Sequence, residues 1–233
     1  MSGQRRARIV ALLVASSAGE PLGRGIAAAT RAVLGAAHVG LLLTSGGLTT
    51  PVDCDDEVGT ILDEQQANLG KGPTLAAASS STPIVATALA QTSTGRAPWP
   101  LFSGVAAELG IGSAVALPLR AGAAQLGVLT AYRSTPTPPD DEQFADGLVL
   151  ADLVTDLLVG ELAGTGSDEL RAAIDAGFAT QSVVHQAAGM LSEQLGITVI
   201  EALVRLRAHA TTCGLSLTAV GRSIVSGELE LER

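Results

Sequence analysis

Ser113-Ala-Val-Ala-Leu-Pro-Leu119 and Gln125-Leu-Gly-Val-Leu-Thr-Ala-Tyr132 are two apolar runs of strand length, separated only by Arg120-Ala-Gly-Ala-Ala124. So short a connection cannot carry a parallel crossover, so the runs form an antiparallel hairpin. Working outward, Val39-Gly-Leu-Leu-Leu-Thr44, closed by Ser45-Gly46-Gly47, reads as another strand, and residues 83–86 as a short one. Residues 52–64 are acidic and mixed and read as a strand with a loop. Helical patterns occupy 8–16, 22–34 and 99–109, the last two stopped by Gly35 and Gly110. Residues 1–163 are therefore an α/β domain, an antiparallel sheet flanked by helices.

Thr135-Pro-Thr-Pro-Pro139 breaks the chain, and Asp140 with Gln143 forms a capping box for a helix over 141–162. Phe144, Leu148, Val149, Leu150, Leu153, Val154, Leu157, Leu158 and Leu162 give this helix an apolar band wider than one buried stripe. A homodimer seam along the band is one expectation; packing against the first helix of the same chain is the other. Gly164-Thr-Gly-Ser167 opens a linker and helix connection over 164–177. Residues 178–227 read as an all-α three-helix bundle, the first helix running from 168 to about 195, and 228–233 as an acidic tail.

Composition narrows the function. Of 233 residues, 47% are hydrophobic and 16% charged, which excludes global disorder. One Trp, one Tyr and three Phe leave no stock for base-stacking sheets. A net charge of -9 argues against general polyanion binding. Cys54 and Cys213 show no metal or disulfide spacing, and His38, His185 and His209 none either. Asp53, Asp55, Asp56 and Glu57 lack calcium-loop spacing and read as a solvated acidic turn; Gly70-Lys71-Gly72 lacks a Walker pattern. No nucleophile motif accompanies the histidines, so no catalytic constellation, cofactor or metal is expected. Arg5, Arg6 and Arg8 before an apolar run resemble the start of a signal peptide, yet Ser16-Ser-Ala-Gly-Glu20 leads into another helix. With no apolar run of membrane-span length, a cytoplasmic protein is expected.

His185-Gln-Ala-Ala-Gly-Met190, Leu195-Gly-Ile197, Glu201-Ala202, Arg205-Leu-Arg207, Ala210, Leu217 and Val220 resemble the ANTAR domain, in order, over about 181–225. The resemblance implies an RNA-binding module of bacterial transcription antitermination regulators, usually dimeric, that binds paired RNA hairpins under control of an attached sensor. Two positions depart from the family. Ala188 stands where Lys is frequent, which implies loss of a phosphate-contacting cation, and Gly221 replaces a usual Ala. Leu69-Gly-Lys-Gly-Pro73, Pro98-Trp-Pro100, Val115-Ala-Leu-Pro-Leu119 and Gly127-Val-Leu make the N-terminal unit similar to the GAF domains that accompany ANTAR. This implies a sensor with an unknown small-molecule ligand or partner, held near 68–74 and 96–102. A receiver domain is rejected: the only Lys, Lys71, lies in a Gly turn.

Residues 178–227 hold Arg205, Arg207 and Arg222 against Glu193 and Glu201, net +1, which leaves -10 on the remainder. This bundle is the part of the chain that tolerates phosphate. The expected RNA face comprises His185 and Gln186 as donors, Gly189 for close approach, and Arg205, Arg207 and His209. Arg205 and His209 share one helical face, whereas Arg207 lies about 160° from Arg205, so one arginine faces RNA and the other tethers a carboxylate. Two alternatives stay open: a DNA-binding helix-turn-helix in the last two helices, with little but Arg222 to read bases, and a dimeric protein-interaction regulator without nucleic-acid binding.

Overall fold

Both runs of the hairpin extend beyond their sequence limits: β4 is Ser113–Ala121 and β5 is Ala124–Arg133. Only Gly122 and Ala123 remain for the turn, and Gly122 takes φ 61°, a left-handed conformation that costs glycine little. In this computed structural model, which describes residues 2–45, 48–52, 54, 56–89, 98–162 and 168–231, the hairpin is the centre of an antiparallel sheet. With β1 (His38–Ser45), β2 (Leu48–Val52) and β3 (Ile84–Ala86), the strand order is β2-β1-β5-β4-β3.

Helices cover both faces, which is why β4 and β5 read as continuous apolar runs rather than alternating ones. On one face lie α1 (Ser2–Ser17), α2 (Leu22–Leu34) and α6 (Asp141–Leu162), packed on Leu41, Leu43, Val115, Leu117, Leu119 and Leu129. On the other lie α3 (Glu57–Leu69), α4 (Pro73–Ser80) and α5 (Pro100–Glu108), against Ala114, Ala116, Val128 and Tyr132. The period of two thus assigns the bulky aliphatics to one layer and the smaller or polar residues, with one Tyr, to the other.

Two expectations change, and one that stood open between two alternatives is narrowed. Residues 52–64 are not a strand with a loop: β2 ends at Val52, and Glu57 opens the helix α3. Asp56 caps it by accepting from the Gly59 amide at 2.9 Å. Acids gathered at a helix N-terminus, where the backbone amides favour them, read as an acidic loop until the cap is seen. The first helix begins at Ser2 rather than Arg8, because its arginines are engaged. Arg5 and Arg8 pair with Asp146 at 2.9 and 2.5 Å, and Arg6 with Asp156 at 2.8 Å, tying α1 to α6. Most of the wide band of α6 is covered within the chain, as in the expected packing against the first helix: the sheet takes one side, α1 and α2 the other, Leu150, Leu153, Val154 and Leu158 are buried, and Leu148 stays exposed. Its width therefore does not call for a partner. The cap at Asp140 is as expected, with Gln143 and Asp140 exchanging backbone-to-side-chain bonds at 2.8 and 3.2 Å.

After α6, the residues 164–167 that open the expected linker lie outside the described residues. The helix α7 (Asp168–Leu195) then runs without a break through the rest of the connection into the bundle. Gly196 at φ 64° ends it, and Thr198 and Glu201 form the capping box of α8 (Val199–Cys213). Gly214 at φ 65° ends α8, and Ser216 caps α9 (Leu217–Val225). Ala187, Ala188, Leu191, Ala202, Leu206, Ala210, Val220 and Ile224 form the bundle core. Ala188 is fully buried, which corrects the idea that a phosphate-contacting cation is missing there: in this chain the position faces the core. Gly221 is also buried, and a Cβ on it would stand 3.4 Å from Val183 Cγ1, an ordinary contact. Gly221→Ala is therefore expected to stabilise the bundle by about 0.5–1 kcal/mol, from helix propensity without a clash. An upward shift of the urea midpoint would show it; a downward shift would mean that Val183 cannot accept the methyl group.

Candidate nucleic-acid interface

Burial fixes the orientation of α7: with Ala187, Ala188 and Leu191 in the core, His185 and Gln186 point outward and are exposed. Gly189 lies on the same outer side, with nothing described within 4 Å of where its Cβ would be. Among the described residues its lack of a side chain thus leaves open space and serves no close helix–helix contact. His185, Gln186 and Gly189 form one continuous patch of α7.

On α8 the core residues Ala202, Leu206 and Ala210 place Arg205 and Arg207 on opposite flanks. Arg205 lies one turn beyond Glu201, whose carboxyl is held below the ordinary glutamate value by the backbone and side-chain hydrogen bonds of Thr198 and, to a lesser degree, by the Arg205 charge. His209 follows Arg205 by one further turn, its Nε2 3.5 Å from Cys213 Sγ. Arg207 faces the N-terminal domain. A Cβ on Gly70, in the turn between α3 and α4, would stand 3.6 Å from Arg207 Cδ, and the Arg207 Nε is buried without a hydrogen-bond partner. Loss of water around this guanidinium pushes its pKa down. The two arginines, expected on different faces without a choice between them, are thus in different surroundings, one beside a carboxylate on the bundle and one under the α3–α4 turn.

Beside Arg207, the buried Asn68 joins the two domains. Its Nδ2 donates to the Leu215 carbonyl at 3.0 Å, and its Oδ1 accepts from the Leu217 amide at 3.0 Å, so both ends of the amide hold the α8–α9 turn. Nothing in the sequence marks Asn68 for this. An Asn near a helix C-terminus is an ordinary occurrence.

The α3–α4 region implied as a ligand site is tied inward. Gln66 accepts from the Thr74 amide at 2.8 Å and donates to Thr74 Oγ1 and Tyr132 Oη at 2.8 and 2.7 Å. Thr74 also meets Thr130 Oγ1 at 3.0 Å, and Tyr132 donates to Asp63. Burial drives the Asp63 carboxyl up to about 7, and burial next to Asp63 drives the Tyr132 phenol well above its ordinary value. Phe102 and Trp99 pack nearby, while residues 90–97, including Arg96, lie outside the described residues. Of the acidic run, Asp53 and Asp55 lie outside them too. Asp56 accepts from the amides of Val39 and Gly59 and pairs with His38 and Arg31, so it is a structural hub and not part of a solvated turn. Among the described residues no three His, Cys, Asp or Glu side chains gather as a metal site, and no single helix is long and apolar enough to cross a membrane.

An antiparallel sheet between two helical layers, continued into a three-helix bundle, defines a two-domain protein, one domain α/β and the other all-α. The GAF domain model matches residues 20–155 and the ANTAR domain model residues 172–225, so the chain belongs to the GAF domain family and carries an ANTAR domain behind it. Together they make it a regulator of the ANTAR type with a GAF sensor domain. Solved structures similar to it include the GAF domain of a phosphoenolpyruvate-protein phosphotransferase from Coxiella burnetii. That likeness is at 14% identity and TM-score 0.47, over 70% of this chain and 99% of that one. Another is the GAF domain of a two-component sensor histidine kinase from Bacillus halodurans, at 16% identity and TM-score 0.40, over 57% and 90%. No curated protein matches the chain.

Proposed function

We propose that this is a signal-responsive transcription antitermination regulator that acts in the cytoplasm, without catalysis, by binding structured RNA through its ANTAR domain. The observation that carries the reading is the outward patch of His185, Gln186 and Gly189 on α7, within the segment matched to the ANTAR domain. Donor side chains beside a bare stretch of helix suit a folded RNA read by shape, and Arg205 on the flank of α8 supplies a cation for phosphate. The GAF domain governs this activity through a ligand or a partner. The width of the α6 band no longer supports a homodimer. A target of two paired hairpins supports one independently, since two linked modules raise each other's effective concentration. Light scattering at micromolar concentration, with and without RNA, reads the oligomeric state.

Gel shifts of the full chain with paired hairpins, single hairpins and duplex DNA at fixed salt test the function. Preference for paired hairpins is expected. Preference for duplex DNA would favour the helix-turn-helix reading, and binding of neither would leave a protein-interaction regulator. Arg205→Ala is expected to weaken hairpin binding about tenfold and to lower the salt slope by about 1. Unchanged affinity and slope would remove Arg205 from the interface.

A further inference from the structure

We propose that Asn68 is an interdomain latch that keeps Arg207 covered and so holds the ANTAR domain in a state of reduced RNA affinity; the second half of this statement rests on the RNA-binding reading above. Three observations meet at one place. Asn68 is buried and spends both ends of its amide on the α8–α9 turn, accepting from Leu217 N and donating to Leu215 O, each at 3.0 Å. Arg207 lies against Gly70 two residues further along, with its Nε buried and unpaired. Arg207 is half-buried, and an Nε–H covered without a partner is unfavourable, so its position is maintained by something other than its own hydrogen bonds. The bonds of the Asn68 side-chain amide to the backbone of the turn that follows α8 provide that restraint.

The latch is also wired to the interior of the sensor domain. Asn68 follows Gln66 by two residues on α3, and Gln66 closes the α3–α4 loop through Thr74 while reaching Tyr132 on β5. A ligand or partner that displaces Gln66 or Thr74 shifts the end of α3, and with it the amide that holds the α8–α9 turn. Arg207 then leaves Gly70, and its guanidinium is open to phosphate on its own flank of α8. The uncovered state is stabilised in two ways, by hydration of the guanidinium and by phosphate when RNA is present. RNA binding and release of the latch therefore favour each other.

The test uses the full chain and reads the latch with and without RNA. Phenylglyoxal modification of Arg207, followed by mass spectrometry, reports its cover, and hydrogen exchange of the Leu217 amide reports the bond. Asn68→Ala is expected to raise both rates roughly tenfold, the scale of two neutral hydrogen bonds. Asn68→Asp, which still accepts from Leu217 but cannot donate to Leu215, falls between. With a synthetic RNA of two tandem stem-loops, Asn68→Ala binds about tenfold more tightly than the parent chain, and adding Arg207→Ala abolishes the gain. Unchanged Arg207 modification in both variants overturns the latch. Faster modification in a chain that binds the RNA no more tightly overturns its control of RNA binding. Faster modification with no RNA binding by any variant sustains the latch and rejects the RNA reading instead.

Discussion

Asp56→Ala is expected to lower the stability of the protein by about 3 kcal/mol, a fall in melting temperature on the order of 10 °C for a domain of this size. The carboxylate is buried and serves four partners from three elements: the Val39 amide at 3.0 Å, the Gly59 amide at 2.9 Å, His38 Nδ1 at 3.0 Å and the Arg31 guanidinium. Truncation strands two backbone amides and removes the cap of α3, each a cost of about 1–2 kcal/mol. Arg31 and His38 are about one-third exposed, so water takes over part of their loss and their share is small. Burial pushes the Asp56 carboxyl up, but the hydrogen bonds from Gly59, Val39, His38 and Arg31 outweigh it and hold the carboxyl below its ordinary value. A depressed folded pKa gives stability that is present above the unfolded value of about 3.9 and lost as pH falls through the folded value. Urea unfolding at pH 7 measures the effect, and a loss under about 1 kcal/mol would deny Asp56 the role of hub.

At Asp63 the sign is opposite. Asp63→Asn is expected to stabilise the protein by about 2–4 kcal/mol at pH 8 and to leave it nearly unchanged at pH 4. The Asp63 carboxyl is fully buried, and burial drives its pKa up to about 7, although the Tyr132 hydroxyl donates to it. A raised folded pKa gives stability that is complete below the unfolded value of about 3.9 and is lost progressively as pH rises to about 7, after which the curve is flat. Asn is the uncharged isostere: it still accepts from Tyr132 and has no charge to bury. Urea midpoints of the two proteins from pH 4 to 8 should diverge through that interval. Parallel curves would mean that Asp63 is solvated or paired in solution. Two aspartates seven residues apart on the same stretch of chain thus have opposite pH dependences, one because amides and cations face it and the other because it is buried with little but a phenol and hydroxyls beside it.

Much of the fold was legible before any coordinates. The hairpin of β4 and β5 follows from two apolar runs and a short connection, and the limits of α2, α8 and α9 follow from Gly35, Gly214 and the Thr198 and Ser216 caps. The ANTAR segment was legible as a resemblance carried in order by His185 to Met190, Leu195 to Ile197, Glu201, Ala202, Arg205 to Arg207 and Ala210, and Ala187, Ala202, Leu206 and Ala210 of these are core positions. Harder to see was α3, whose capping acids and buried Asp63, Gln66 and Asn68 break the apolar pattern that marks a helix. Polar residues inside a core are invisible to periodicity, since what buries them is the set of partners they find.

The sequence by itself determined the place of the sheet's central hairpin, the two-domain layout and the caps of the last two helices, because turns, caps and periodicity act over a few residues and need no knowledge of what packs against them. Only the tertiary structure decided that most of the α6 band is covered within its own chain, that Ala188 is a core residue, that Arg207 and not Arg205 lies under the α3–α4 turn, and that Asn68 binds the α8–α9 turn. The physical reason is distance along the chain: Asn68 meets partners 147 and 149 residues away, and a hydrogen bond of that span depends on how two folded units come together and leaves no local pattern behind.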